Sequence, residues 1–268
     1  MKLNQFFSQH AVFTVEELDV FLAGKDSSNR RTRNALLAYH RQQGRLLSVR
    51  RGLYAVVPLG VSPGSSPIDP YLLAAKMSKH AVLAYHTALE FHGKAYSIYD
   101  QFYYLAKRKS IPVNFRSYEF RCVLIPKKLR DKRMESFGVN RAERAGVDVR
   151  VTSLERTLVD ILDKPDFCGG WEEIWRSLES VEFFDLNKVV EYTLHLENST
   201  TVAKVGFFLE QHQDVLMVEE AHLKSLRELR PSTPHYLERS KRQKGRLVSD
   251  WNLVVPVSVL ERSWAEVT

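Results

Sequence analysis

Arginine and asparagine side chains concentrate between residues 27 and 52, where seven arginines occur without an acidic residue. A guanidinium can donate two parallel hydrogen bonds to guanine, and an asparagine amide can pair in the same manner with adenine. Many of these residues fall in the first two turns of a predicted helix, which is the part of a recognition helix that meets base edges. The candidate DNA-contacting residues are Arg30, Arg31, Arg33, Asn34, Arg41, Arg50 and Arg51.

The spacing of the candidate ligands and nucleophiles does not favour a metal site or a catalytic site. His80, His86 and His92 are six residues apart, which is not the i,i+4 spacing that places two ligands on one helical face. Gly169-Gly170 lacks the flanking pattern of a phosphate-binding loop, and no G-x-S-x-G nucleophile elbow occurs. Gly64-Ser65 is not followed by the acidic pair of a nucleotidyltransferase. We therefore predict no enzyme activity, no metal site and no cofactor.

Charge is segregated along the rest of the chain. Residues 107–133 carry a formal charge of +8, residues 166–223 carry −9, and residues 224–247 carry +6, within a total of +7. Such segregation favours a basic side that contacts a polyanion and an acidic side that does not. A candidate secondary basic surface consists of Lys127, Lys128 and Arg130.

The first sixty residues contain explicit helix signals. Residues 2–8 can form a short helix, and a second helix is predicted to start at Thr14, with Glu17 completing a capping box. Gly24 suits the end of that helix.

A third, basic helix is predicted to begin at a cap on Ser27 or Ser28 and to end near Gly44. Leu37 falls toward its polar face. The residues predicted to pack inward are Ala35, Leu36 and Tyr39.

The stretch RLLSVRRGLYAVVP then reads as two strands joined by a tight turn at Arg51-Gly52. Two helices, a basic helix and a two-stranded hairpin follow the order of a winged helix-turn-helix. We predict this domain over residues 1–58, with the wing arginines near phosphates or a minor groove.

A linker rich in proline, glycine and serine is predicted at 59–68, followed by a larger domain at 69–268. Its predicted helices start at Asp69-Pro70, span AVLAYHTALEFHG, and begin again at a Thr152–Glu155 capping box. The stretches QFYYLA, FRCVLIP and VDVRV are predicted strands. A mostly helical region follows over 171–229, and DWNLVVPVSVL contains a final strand. The absence of regular βαβ alternation predicts an α+β fold.

No signal-peptide pattern opens the sequence, and no run approaches the length of a membrane span. Cys122 and Cys168 are the only cysteines, and no disulfide framework is indicated. The expected location is the cytoplasm, with no membrane partner.

Four segments together resemble the AbiEi family of antitoxins and transcriptional regulators, which belongs to type IV, abortive-infection toxin–antitoxin systems. They are GRLLSVRRGLYAVVP, AYHTALEFHG, SLERTLVDILD and DWNLVVP, in the order of the family.

The resemblance implies a winged helix-turn-helix that binds double-stranded operator DNA and represses a toxin operon. It also implies a C-terminal domain needed for antitoxicity and a nucleotidyltransferase-like toxin as partner. Within AYHTALEFHG and SLERTLVDILD, we interpret Arg156 and Asp160 as a structural i,i+4 pair rather than as catalytic groups.

Two alternatives remain open at this stage. The chain could act through protein interaction, or it could bind nucleic acid without sequence preference. The second alternative would use Phe115, Tyr118 and Phe120 for base stacking, among the basic residues of 107–133.

Overall fold

The computed structural model of the protein describes residues 2–23, 29–238 and 245–264. Helices and strands are mixed irregularly along this part of the chain, which confirms the α+β class. Within the described ranges, no helix is both long and apolar enough to cross a lipid bilayer. The chain forms two compact units. The first contains Met1–Leu83, Asp100–Val123 and Arg141–Arg150, and the second contains Ala84–Tyr99, Leu124–Asn140 and Val151–Thr268.

Three helices and a small sheet form the N-terminal part of the first unit. They are α1 (Lys2–Gln9), β1 (Val12–Thr14), α2 (Val15–Ala23), α3 (Arg30–Gln42), β2 (Leu46–Arg50) and β3 (Leu53–Val56). The sheet is antiparallel with strand order β1-β3-β2. Phe6, Phe13, Leu18 and Leu37 lie in one buried cluster that joins the helices to the sheet.

The start of α2 has the predicted capping box. The Thr14 backbone N–H donates to Glu17 Oε2 at 2.7 Å, and the Glu17 N–H donates to Thr14 Oγ1 at 3.3 Å. Both bonds are local in sequence, which is why the motif alone predicted them. The predicted stop at Gly24 lies outside the described residues. Strand β1 was not predicted, because three residues give too short a pattern.

The predicted cap of α3 is wrong. The helix begins at Arg30 with Asn29 as its N-cap, and Asn29 Oδ1 accepts a hydrogen bond from the Arg31 N–H at 2.9 Å. Ser27 and Ser28 lie outside the described residues. The predicted end is confirmed, since Gly44 has a φ of +69° directly after the helix.

The predicted inner face of α3 is also wrong. Leu37 is buried, whereas Ala35 and Tyr39 are exposed and Leu36 is half-buried. Leu37 is the apolar residue of α3 that belongs to the buried cluster. The helix is therefore rotated from the expected orientation, and this changes which polar side chains face solvent.

A helix and a second sheet, whose strands lie mainly in the first unit, follow along the chain. They are α4 (Pro70–Ala75), β4 (Val82–Leu83), β5 (Gln101–Ala106), β6 (Val113–Phe115), β7 (Tyr118–Leu124), β8 (Val139–Arg144) and β9 (Val147–Thr152). The strand order is β6-β7-β5-β4-β9-β8. Asp69 caps α4 as predicted, accepting from the Tyr71 N–H at 2.9 Å. The three predicted strands β5, β7 and β9 are confirmed, and β6 and β8 were missed.

The helix predicted over AVLAYHTALEFHG is correct only in its second half. Val82 and Leu83 form β4, and the helix covers His86–Phe91. The run AVLA is buried throughout. A short apolar run of this kind has no periodicity that separates a fully buried strand from a buried helix.

The proline-rich segment 59–68 lies inside the first unit. Arg116 donates to the carbonyl oxygen of Ser66 at 2.6 Å and to that of Pro63 at 2.7 Å. Ser66 itself is buried. The segment is thus held to the β6–β7 turn by a charged side chain, in addition to its backbone connections.

The second unit is mostly helical. Its helices are α5 (His86–Phe91), α6 (Lys127–Asp131), α7 (Leu154–Asp163), α8 (Trp171–Glu179), α9 (Leu186–His195), α10 (Ser199–Gln211), α11 (Glu220–Arg227) and α12 (Val257–Leu260). Its strands are β10 (His235–Tyr236), β11 (Gly245–Val248) and β12 (Leu253–Pro256), in the order β10-β12-β11. The predicted helical region over 171–229 and the final strand are confirmed.

The predicted start of α7 is displaced by one residue. Thr152 ends β9, and its hydroxyl pairs with Thr157 Oγ1 at 2.7 Å. Ser153 is the N-cap and accepts from the Arg156 N–H at 3.3 Å. Glu155 accepts from the Asp185 N–H at 3.3 Å rather than closing a capping box. Both Thr152 and Ser153 are good caps, so strand pairing decides between them.

Candidate nucleic-acid interface

The exposed side of α3 carries four of the predicted contact residues. Arg30, Arg31, Asn34 and Arg41 are all exposed. Arg30, Asn34 and Arg41 are spaced i, i+4 and i+11, which keeps them near one line along the helix. The exposed Ala38 between Asn34 and Arg41 adds little bulk there. This side therefore offers guanidinium and amide donors, and the leucine that falls between them along the helix, Leu37, is buried.

Arg33 is not a member of this exposed set. Its Nη1 atom lies 2.6 Å from Asp19 Oδ2, and 14% of its side chain is exposed. Its Nε and Nη2 atoms donate to Asn34 Oδ1 at 3.2 and 3.0 Å. Arg33 thus joins α3 to α2 and fixes the amide of Asn34, leaving the Asn34 NH2 group as the outward donor. The sequence pattern did not show this, because Asp19 is 14 residues away.

The β2–β3 hairpin presents Arg51 at its tip. Arg51 is exposed, and Gly52 adopts a φ of +83° that favours glycine. The Gly52 carbonyl accepts from the Val15 N–H at 2.9 Å, which holds the turn to the start of α2. The tip is therefore fixed relative to the N-terminal helices, as a phosphate-contacting arginine requires.

Arg50 is held within the first unit. Its Nη2 atom donates to the Met77 carbonyl at 2.6 Å, although the residue as a whole is exposed. Ser48 and Arg50 flank an irregularity in the β2–β3 register. Arg50 is thus an anchor of the hairpin on the segment after α4, while its charge still adds to the local potential.

Two further side chains, His40 of α3 and Arg45 after it, contact the Phe7 ring. Arg45 lies 5.9 Å from the Phe7 ring centroid, and the His40 ring contacts Phe7 edge-on at 5.0 Å. Burial, and then the charge of Arg45, lower the pKa of His40. His40 is therefore neutral near pH 7 and adds no charge to the exposed face.

The candidate secondary surface belongs to the second unit. Lys128 pairs with Glu197, as does Lys132 at 2.6 Å, and the two lysines lower the pKa of Glu197 to about 2. Lys127 is exposed, whereas Arg130 is half-buried. Part of the predicted basic surface is thus neutralised by a nearby carboxylate.

The three aromatic residues considered for base stacking are not equally accessible. Phe120 is completely buried, and Tyr118 packs edge-on against Phe102 with ring centroids 5.5 Å apart. Phe115 is half-buried beside Arg116. Phe120 therefore contributes to the core of the sheet and not to a stacking surface.

His86 and Glu90 of AYHTALEFHG lie beside Glu173 of α8 in the core of the second unit. His86 Nε2 lies 3.1 Å from Glu173 Oε1, and His86 Nδ1 lies 3.2 Å from Glu90 Oε1. Burial alone would lower the pKa of His86, but its bonds to Glu173 and Glu90 raise it. His86 is completely buried, so this cluster has no access for a substrate.

The pair in SLERTLVDILD is likewise buried. Arg156 Nε lies 3.3 Å from Asp160 Oδ2, and Tyr192 Oη donates to Asp160 Oδ1 at 2.7 Å. Arg156 Nη1 also donates to the carbonyls of Glu135 and Phe137. Arg156 Nε, Arg156 Nη1 and Tyr192 Oη each donate to another group of the protein, so the geometry favours a structural role.

Comparison with known proteins shows a similar fold and gives no information on function. No protein-family model matches the sequence, and no curated protein matches it. Among solved structures, the chain is similar to the crystal structure of the RV2827C protein from Mycobacterium tuberculosis. The TM-score is 0.60 at 18% identity, and the match covers 98% of this chain and 94% of that one. At this identity, the likeness shows a shared fold and carries no activity or partner across.

Proposed function

We propose that the N-terminal part of the first unit is a winged helix that binds double-stranded operator DNA and represses transcription. The supporting observation is that Arg30, Arg31 and Asn34 are exposed on α3, with Arg51 on the fixed tip of the adjoining hairpin. The element order, with β1 joining the hairpin strands, is that of winged-helix domains. In this proposal, α3 is the recognition helix and the β2–β3 hairpin is the wing.

The protein acts by binding rather than by catalysis in this proposal. The proposed main partner is DNA upstream of its own gene, and the proposed location is the cytoplasm. The test is fluorescence anisotropy of the purified protein with that DNA and with a shuffled duplex of equal length, across a salt series. A preference of about 10³-fold or more for the native duplex supports a specific repressor. Equal binding to both duplexes, with a steep salt dependence, would contradict it.

Asn34→Ala and Arg31→Ala are expected to reduce discrimination between the native and the shuffled duplex. Each lost base contact should cost about 1–3 kcal/mol on the native duplex, or about 5- to 150-fold in affinity. Binding to the shuffled duplex should change much less for Asn34→Ala, because an amide carries no charge. The matched control is Arg133→Ala, an exposed arginine of the second unit. An unchanged ratio of the two affinities in both variants would place base recognition elsewhere.

Arg51→Ala is expected to weaken binding to both duplexes by a similar factor. A phosphate contact carries no sequence information, so the loss should be uniform. The slope of log affinity against log salt should fall by about 0.9 for one lost contact. The same salt series measures this slope. A loss confined to the native duplex would instead assign Arg51 to base or groove-shape recognition.

We further propose that the protein is an antitoxin for a nucleotidyltransferase-like toxin, on the basis of the AbiEi resemblance. The segments that carry the resemblance in the second unit build its core around His86, Arg156 and Trp251, each of which is buried. Co-expression with a toxin encoded beside the gene tests this proposal by growth. Co-purification of the two proteins at high salt would favour direct protein contact. Growth rescue without co-purification would favour antitoxicity without a stable complex.

A further inference from the structure

The turn between α4 and β4 lies at one end of the six-stranded sheet. Strand β4 pairs antiparallel with β5, with Val82 opposite Leu105 and Leu83 opposite Tyr104. The chain that enters β4 at Ala81 therefore lies beside the chain that leaves β5 at Ala106. The three residues that follow β5 are Lys107, Arg108 and Lys109, and all three are exposed. They emerge at the same end of the sheet as residues 76–81.

The β2–β3 hairpin is anchored to this same end of the sheet. Arg50 donates to the Met77 carbonyl at 2.6 Å, and Lys76 pairs with Glu17 of α2. Tyr104 Oη lies 2.9 Å from Ser110 Oγ. Burial raises the pKa of Tyr104, and the Ser110 hydroxyl and the charge of Arg50 oppose this. The hairpin, the turn 76–81 and the loop after β5 are thus neighbours.

The loop after β5 has a defined position. Cys122 Sγ donates to the Arg108 carbonyl at 3.4 Å, and the Tyr104–Ser110 bond holds the far end of the basic run. No acidic residue occurs from 107 to 118. Arg108 and Lys109 therefore extend from a fixed backbone, and no acidic residue is close to them in the sequence.

More positive charge lies on the other side of the turn 76–81. A cavity of about 170 Å³ is lined by Ala75, Lys79, Ala81, Arg141, Asp148 and Arg150. Arg150 Nη2 donates to the Ala81 carbonyl at 3.4 Å. Burial, and then the charge of Arg141, lower the pKa of Arg150. Among the residues that the structure describes, neither Arg141 nor Arg150 has a carboxylate partner.

We infer that Lys79, Lys107, Arg108, Lys109 and Arg141 form a second phosphate-contacting surface, the sheet-end surface, which continues the DNA contact of the hairpin. The inference rests on the proposed function, since the partner is the same duplex that α3 contacts. A duplex is charged along its whole length, so a basic surface next to the wing can contact phosphates beyond the segment that α3 reads. These contacts add affinity and no sequence preference.

The test compares wild type with Lys107→Ala/Arg108→Ala/Lys109→Ala by anisotropy on the native and the shuffled duplex across a salt series. The control is Arg133→Ala/Lys188→Ala/Lys224→Ala, which removes three exposed positive charges from the second unit. The first variant should bind both duplexes about tenfold more weakly. Its log–log salt slope should fall by up to about 2.7, which is three contacts at 0.9 each. In the control variant, the affinity and the salt slope should both decrease far less.

Each outcome decides between two claims. If wild type prefers the native duplex and the two triple variants behave alike, the sheet-end surface is refuted and the proposed function stands. If wild type shows no preference, the proposed function fails and the inference fails with it. A loss of preference without a change in salt slope would also refute the inference, because it would assign the loop to base recognition. Thermal unfolding of both variants checks that the substitutions leave the fold intact.

Discussion

Glu173→Ala is expected to lower the free energy of unfolding by about 3–5 kcal/mol. One oxygen of this buried carboxylate accepts from four donors: His86 Nε2, the N–H groups of Tyr96 and Ser97, and Ser177 Oγ, at 2.9–3.1 Å. Removing it leaves Glu90 as the remaining carboxylate beside His86, takes away the acceptor of the Ser97 N–H, and leaves the Tyr96 N–H with Ser177 Oγ as its acceptor. Urea unfolding followed by circular dichroism measures the loss.

The control for this variant is Glu172→Ala. Glu172 neighbours Glu173 on α8, but its side chain is 51% exposed, and it pairs with Arg176 at i,i+4. An exposed pair of this kind contributes less than about 1 kcal/mol. Similar losses for the two variants would refute the role assigned to the buried cluster.

The same cluster gives stability a defined pH dependence. Burial alone would raise the pKa of Glu173, but His86, Ser97 and Ser177 outweigh it and lower the pKa to about 2. The contribution of Glu173 is therefore complete above its ordinary pKa of 4.5 and is lost as pH falls toward 2. The pKa of His86 is raised above 6.5, so its contribution is complete below 6.5 and is lost as pH rises through the raised value. Between pH 4.5 and 6.5 the difference between wild type and Glu173→Ala should be largest.

Arg156→Met is expected to lower the free energy of unfolding by about 3–5 kcal/mol. The substitution leaves the buried carboxylate of Asp160 with Tyr192 Oη as its remaining donor. The carbonyl of Phe137, which accepts from Arg156 at 2.6 Å, would also lose its charged donor. The double variant Arg156→Met/Asp160→Leu removes both charges. It should be more stable than Arg156→Met alone, although Tyr192 Oη then loses its acceptor.

Lys188→Met is the matched control for Arg156→Met. Lys188 forms an ion pair with Asp185 at 2.9 Å, but its side chain is 63% exposed. Lys188→Met should therefore change the free energy of unfolding far less than Arg156→Met, because solvent screens an exposed ion pair. Asp160→Leu alone is measured as well. If its loss of stability simply added to that of Arg156→Met in the double variant, the two residues would be energetically independent. The ion pair would then not be the source of the loss in Arg156→Met.

Sequence patterns predicted the features that depend on neighbouring residues. The Thr14–Glu17 capping box and the Arg51–Gly52 turn are complete within a few residues, so propensity and spacing determine them. The rotation of α3 was missed because its apolar pattern is weak, and the one buried leucine, Leu37, is selected by contacts with α1 and the sheet. Strand β4 was missed because its two residues gain their structure from β5 and β9.

Prediction of the candidate site from the sequence is limited in the same way. The arginine content of α3 and the hairpin is visible in the sequence, yet the distinction among those arginines is not. Arg33 donates a hydrogen bond to Asp19, which is 14 residues away, and Arg50 donates to the carbonyl of Met77, which is 27 residues away. Arg30, Arg31 and Arg51 are left exposed by the same fold. Long-range pairs of this kind depend on tertiary structure and have no signature in spacing.

The two units are interleaved along the chain, which has a consequence for how the protein is made. The backbone passes from one unit to the other five times, after residues 83, 99, 123, 140 and 150. During synthesis, the sheet of the first unit cannot be completed until β9 has left the ribosome. The N-terminal helices and hairpin have their own apolar cluster and emerge much earlier. In a nascent chain, the arginine-bearing face of α3 and the hairpin should therefore form before the six-stranded sheet is complete. The interleaving also means that no single proteolytic cut can separate one whole unit from the other.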